Sequence, residues 1–219
     1  MNSFDWSWTA DNGQLLWDKT LEHIQLTVIA VVIGMLISFP LGVLAQRRSH
    51  WYPSITGVTG FLYTIPSVAL FAFLIPYTGL SIVTAEIGLV SYTLLILIRN
   101  IVAGLNGVPP DSKDAAVGMG YTDRQLLWRV ELPLALPVII AGLRLASVTT
   151  IGLVTVTALI GLGGYGKLIL DGFREFDSTQ LILGAVLSMA FAILVDGLLV
   201  GCERLLTPWA RRSSPRALG

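Results

Sequence analysis

Five stretches of this chain, residues 24–45, 54–76, 81–98, 138–160 and 181–201, each carry at most one charged residue. Each is close to the ~20 residues that a helix needs to cross a bilayer. Hydrocarbon offers no water to backbone N–H and C=O groups, so such runs must close their own hydrogen bonds, as helices do. The expected fold class is an all-α integral membrane protein with five spans. Only 13 % of the 219 residues are charged, against ~25 % in soluble proteins. Formal net charge is zero, which excludes nucleic-acid binding by bulk electrostatics. Cys202 is the one cysteine, so neither an intrachain disulfide nor a cysteine metal cluster is available. Asp5 and Asp11, with no early Lys or Arg, argue against a signal peptide.

The chain divides into a polar, tryptophan-bearing segment (1–20), a membrane domain (21–201) and a basic tail (202–219). Trp6, Trp8 and Trp17 suit the membrane–water interface. In the first span Ala30, Gly34, Ser38 and Gly42 recur every four residues, a small-residue face that another helix can approach closely. Pro66 lies inside the second span, tolerated where neighbours satisfy the freed carbonyl. Residues 161–180 read as a glycine-rich turn and a polar loop. With five spans and the N-terminus outside, ten of the fourteen Lys and Arg fall inside, including Arg47, Arg48, Arg99 and Lys113. Lys19, Lys167 and Arg174 fall outside. That split fits the positive-inside rule and puts the C-terminus in the cytoplasm.

A polar insert at 111–133 separates the third and fourth spans on that inner side. Pro109 and Pro110 stop the preceding helix. Asp111 or Ser112 is placed to cap a short helix, with Asp114 in its first turn. Gly118 and Gly120 interrupt it, and Thr122 with Gln125 forms a capping box for a second helix. Leu126, Leu127 and Val130 give that helix an apolar side, and Pro133 with Pro137 is expected to end it. The insert thus reads as a water-exposed helix–turn–helix.

The pattern Asp114-Ala115-Ala116, then Gly120, then Val130-x-Leu132-Pro133 resembles the EAA loop of ABC-importer permeases. Asp114 stands for the usual Glu and Val130 for the usual Ile. The resemblance implies that these residues form the coupling helix that docks on a cytoplasmic ATPase. It extends from about residue 21 to 201 and implies the type I ABC-importer permease core. The stretches Tyr63-Thr-Ile-Pro-Ser-Val-Ala-Leu, Ile98-Arg-Asn and Ala158-Leu-Ile-Gly-Leu-Gly-Gly-Tyr-Gly are most similar to osmoprotectant permeases, importers of glycine betaine, choline or carnitine. That likeness implies a multi-pass protein of a bacterial or archaeal plasma membrane. Its implied partners are ATPase subunits that bind ATP and Mg, a second permease chain and an extracytoplasmic solute-binding protein. No cofactor is expected in this chain. The alternatives are an ABC importer of another small solute such as an amino acid, or an ATP-independent secondary transporter subunit.

Other motifs carry less. Residues 161–168 match G-x-G-x-x-G and most of a P-loop, but Leu168 stands where Mg²⁺ needs Ser or Thr. Arg144 and Asp196 would each cost roughly 2.5 to 3.5 kcal/mol at a span centre. Both lie ~8 to 9 Å from the inner boundary at 1.5 Å per residue, so they are expected to form a structural ion pair. Tyr63, Ser67 and Glu86 are candidate substrate-path residues, with Glu86 expected at the outer interface. His23 and His50 fall at span ends and are expected to be interfacial, not metal ligands. Nothing resembles a hydrolytic triad or a paired-carboxylate site, so an enzyme is not expected.

Overall fold

The computed structural model describes residues 4–209, and every regular element among them is helical. α1 (Trp6–Asp11) is followed by α2 (Gly13–Arg47), α3 (Tyr52–Thr64), α4 (Ser67–Thr78) and α5 (Ile82–Asn106). Then come α6 (Pro110–Gly118), α7 (Asp123–Leu126), α8 (Leu132–Val156), α9 (Tyr165–Arg174) and α10 (Ser178–Leu206). Four helical stretches are long and apolar enough to cross a membrane: Gly13–Arg47, Ile82–Asn106, Asp123–Ile160 and Ser178–Leu206. The pair Ser49–Thr64 and Ser67–Thr78 makes a fifth if it is counted as one bent span. The distal part of the basic tail, with Arg211, Arg212 and Arg216, lies outside the described residues.

α2 begins earlier than expected. The fall in polarity near residue 24 does not mark a helix start. Polar pairs within the first turns keep residues 13–23 helical: Gln14 Nε2 donates to Asp18 (3.0 Å) and Lys19 pairs with Glu22 (2.7 Å). At 35 residues, α2 is ~52 Å long, well beyond the ~30 Å hydrocarbon core.

α5 is the central element. In its most apolar stretch 56 % of residues are covered by the rest of the chain, against 11 % for α10. The small-residue face of α2 lies against it. Ala30 and Ser38 are fully buried there, and a Cβ added at Gly34 would sit 2.0 Å from Thr93 Oγ1. One added at Gly42 would sit 2.6 Å from the Ile101 side chain. Glycine here permits contact between two backbones. On its other flank α5 packs on α8 through Leu105, Ala135 and Ile139.

The second span is not one helix. α3 and α4 meet at 94° across Ile65 and Pro66. Proline disfavours the helical region for the residue before it, and Ile65 is extended (φ −66°, ψ 126°). Tyr92 Oη on α5 donates to the Ile65 carbonyl that the break exposes. A neighbouring helix satisfies that carbonyl, but the helix bends sharply instead of continuing.

Two helix ends also differ from expectation. α6 starts at Pro110 with Pro109 as its cap residue, and no side chain caps it. Proline suits the first helical position because its missing N–H would be unpaired there anyway, so neither Asp111 nor Ser112 is needed as a cap. Nor does Pro133 end the second helix. A π turn over Leu127–Glu131 carries α7 into α8, and the Leu132 N–H reaches back five residues to Leu127 O. That wider turn accommodates the proline ring, which would otherwise crowd the preceding carbonyls.

The expected polar loop before the last span is largely helix. Tyr165, Leu168 and Gly172 of α9 are buried, and Lys167 pairs with Asp171 (2.6 Å) on the same helix. Asp177 then caps α10, accepting from the Thr179 N–H (2.8 Å) and Gln180 Nε2 (3.0 Å).

Candidate functional site

The helix–turn–helix at 110–131 forms as its sequence dictates. α6 closes at a turn where Gly120 adopts φ +81°, a left-handed conformation that suits glycine. The capping box is complete: the Thr122 N–H donates to Gln125 Oε1 (2.9 Å), and the Gln125 N–H to Thr122 Oγ1 (3.4 Å). Asp114, Ala115 and Gly120 lie on the exposed face, while Ala116 is buried under it. Val130, Leu132 and Pro133 are half-buried where the long helix starts. Large apolar side chains flank the exposed face, Val117 at 58 %, Met119 at 69 % and Trp128 at 53 % exposure. A shallow groove of about 310 Å³ between Thr122, Arg124, Gln125, Trp128 and Arg129 adjoins it. An apolar patch set among charges on an exposed loop is what a protein partner covers.

Glu131 joins this loop to the membrane helices, and the sequence reading passed over it. Its side chain is 1 % exposed. One carboxylate oxygen lies 2.6 Å from Arg47 Nη2, at the last residue of α2. The other lies 3.2 Å from Lys113 Nζ on α6. Lys113 also donates to Leu105 O of α5 (3.2 Å). A signal was present: Glu131 falls four residues from both Leu127 and Ala135, on an otherwise apolar helix face.

Arg144 meets Asp196 through two parallel bonds, Nε to Oδ1 at 2.8 Å and Nη2 to Oδ2 at 3.0 Å. Arg144 Nη1 also lies 3.6 Å from Glu203, two turns further along α10. These side chains are 29–37 % exposed on the chain's own surface.

At the opposite end of α2, His23 is fully buried by the rest of the chain. Its Nδ1 accepts from the Tyr165 N–H (3.3 Å), which leaves Nε2 to donate to Ile151 O (3.2 Å). The reason is position: His23 lies one turn before Thr27 on the α2 face that continues through Ala30 and Gly34. That face seats the glycine turn, where a Cβ on Gly164 would lie 2.6 Å from His23 Cβ.

The three candidate path residues sit on three successive helices, α3, α4 and α5. Tyr63 is exposed beside the break, its ring 5.7 Å from Tyr92, and Ser67 opens α4 just past it. Glu86 sits on α5, and both its carboxylate oxygens are buried without a hydrogen-bond partner among the described residues. Among the described residues no group of His, Cys, Asp and Glu could hold a metal ion.

Residues 30–205 match the family described as binding-protein-dependent transport system inner membrane component. The chain belongs to that family. Relatives of this inner membrane component include the choline transport system permease protein OpuBB of Bacillus subtilis, 39 % identical over 90 % of this chain and 91 % of that protein. The osmoprotectant import permease protein OsmW of Salmonella typhimurium is 38 % identical, with 90 % of this chain and 94 % of that protein covered. Among solved structures, the methionine ABC transporter MetNI in an inward-facing conformation superposes with TM-score 0.82 at 22 % identity. That match covers 90 % of this chain and 98 % of the other. An amino acid ABC transporter superposes at 0.71 and 18 % identity. The inner membrane component is therefore a multi-pass transport permease, not an enzyme, and it works with an ATPase and a binding protein.

Proposed function

We propose that this chain is the permease half of an ATP-driven importer of osmoprotectants, quaternary ammonium compounds such as choline, carnitine and glycine betaine. The observation that carries the cargo is the similarity, across nine-tenths of the chain, to permeases named for choline and osmoprotectant import. The fold neighbours named for methionine and amino acids are only 22 % and 18 % identical, so they speak to architecture. Tyr63 supports the cargo, since an exposed ring beside a second tyrosine offers a cation–π surface to an ammonium group.

In this reading the membrane domain (21–201) crosses five times, with the N-terminal segment outside and the tail in the cytoplasm. The Glu131 contacts support the odd count. They hold the C-terminal ends of α2 and α5 on one side, so the bent α3–α4 pair must carry the chain across between them. The 111–133 loop is the coupling helix–turn–helix, with Asp114, Ala115, Ala116 and Gly120 against the ATPase. Val130, Leu132 and Pro133 pass its motion into α8. Two permease chains, each with its ATPase, enclose the path, and the binding protein delivers solute from outside. ATP draws the ATPases together and the two loops turn that closure into alternating access. Arg144 and Asp196 hold α8 to α10, and Tyr63, Ser67 and Glu86 line the path.

The test is uptake of labelled choline, glycine betaine and carnitine by a deletion strain from which redundant carriers are removed. High-affinity, ATP-dependent uptake is expected to vanish, and in the wild type to rise with external osmolarity. Entry of all three at the wild-type rate in the deletion strain overturns the cargo and leaves the permease assignment standing.

A further inference from the structure

We infer that Glu131 is the latch through which the coupling loop moves α2, a positioning residue that ties solute movement to ATP hydrolysis. This rests on the permease reading above and names the part that passes the stroke sideways. Motion of α6 and α7 reaches α5 and α8 along the backbone, because the loop is continuous with both. α2 has no such connection. It precedes the loop by more than sixty residues, and its cytoplasmic end meets the loop through side chains.

The carboxylate is placed for that task. One oxygen holds Arg47 at 2.6 Å and the other holds Lys113 at 3.2 Å. The same arginine reaches Asp123 O, at the start of α7, at 3.5 Å. Both cations also keep a route to water, with Arg47 33 % and Lys113 24 % exposed. Removing the acid therefore frees two cations that can rehydrate. The loop's outer face, which carries Asp114 and Gly120, has no part in these bonds. Loss of the latch should free the cytoplasmic end of α2 from the loop without unfolding the loop or undocking the ATPase.

The test uses the complex in proteoliposomes with its ATPase and binding protein, labelled choline as probe, and reports choline moved per ATP hydrolysed. Glu131→Gln is expected to retain the ATPase and its hydrolysis, while choline per ATP falls about tenfold, inside the ~5- to 150-fold typical of coupling between sites. Arg47→Ala with Lys113→Ala should reproduce that ratio, and adding Glu131→Gln should change it little further, because all three remove one linkage. Glu131→Asp, which keeps the charge but shortens its reach, should fall between. A Glu131→Gln complex whose transport and hydrolysis decline together, at unchanged ratio, overturns the latch and makes the cluster merely structural. Full additivity of the three changes overturns it equally. A wild-type chain that neither binds nor stimulates an ATPase would instead bring down the permease reading itself.

Discussion

Arg144 faces two acids but its bonds to them are unequal, which gives the site a testable asymmetry. Asp196 takes two short bonds and Glu203 stands at 3.6 Å. Asp196→Asn leaves Arg144 a second carboxylate on the same helix face. Arg144→Gln removes the cation that both carboxylates face. The arginine variant should therefore give the lower yield of monodisperse protein in mild detergent; equal yields, or a worse result for Asp196→Asn, would remove Glu203 from the account. His23 makes a second case. His23→Phe keeps an aromatic ring but strands the buried Tyr165 N–H, a loss of about 1–3 kcal/mol. A lower thermal midpoint in detergent is the expected readout, and an unchanged midpoint would mean that the bond adds nothing. Arg144 and Asp196 were legible because a charge in an apolar run stands out. Glu203 and His23 were not, since each lies at a run's edge, where a polar residue looks unremarkable until the partner helix is in place; Glu131 was marked only by its spacing from Leu127 and Ala135.

At the scale of elements, apolar length and turn chemistry were readable and helix continuity was not. The small-residue face of α2 and the Thr122–Gln125 box needed only local spacing. Whether a proline breaks a helix depends on the turn that precedes it and on what receives the carbonyls a break would expose. Ile65 O meets Tyr92 and the chain bends by 94°, whereas Pro133 follows a π turn and the helix continues. The Gly120 turn permits a cleaner experiment. A Cβ added there meets no atom beyond its chain neighbours within 4 Å, but φ of +81° strains most residues by ~1–3 kcal/mol. Asn tolerates that conformation. Gly120→Asn should therefore fold and retain most ATPase binding, while Gly120→Trp inserts in the membrane but loses ATPase on purification and ceases to transport. If Trp is as well tolerated as Asn, nothing docks against that turn.

At the scale of the molecule the open matter is parity. Four crossings place both ends of the chain on one side of the membrane, and five place them on opposite sides. Composition leaves α3 and α4 ambiguous, because neither helix alone is long enough to span. The contacts at the two ends of α2 bear on this. Its C-terminal Arg47 shares Glu131 with Lys113, just past the end of α5. Its N-terminal half meets α9, where Tyr165 Oη and Thr20 Oγ1 lie 3.1 Å apart. If α2 and α5 end on the same side, α5 must begin on the other, and the bent pair has to cross between them. With Cys202 replaced by Ser, single cysteines at Thr9, Gly79 and Gln180 should react with an impermeant maleimide in intact cells. Ones at Arg48 and Ser112 should react only after permeabilisation. The Gly79 site decides the matter: it ends α4, and on a re-entrant pair it would stay on the Arg48 side. Labelling of Gly79 together with Arg48 would reduce the count to four, and reversal of the whole set would invert the orientation that the basic residues favour.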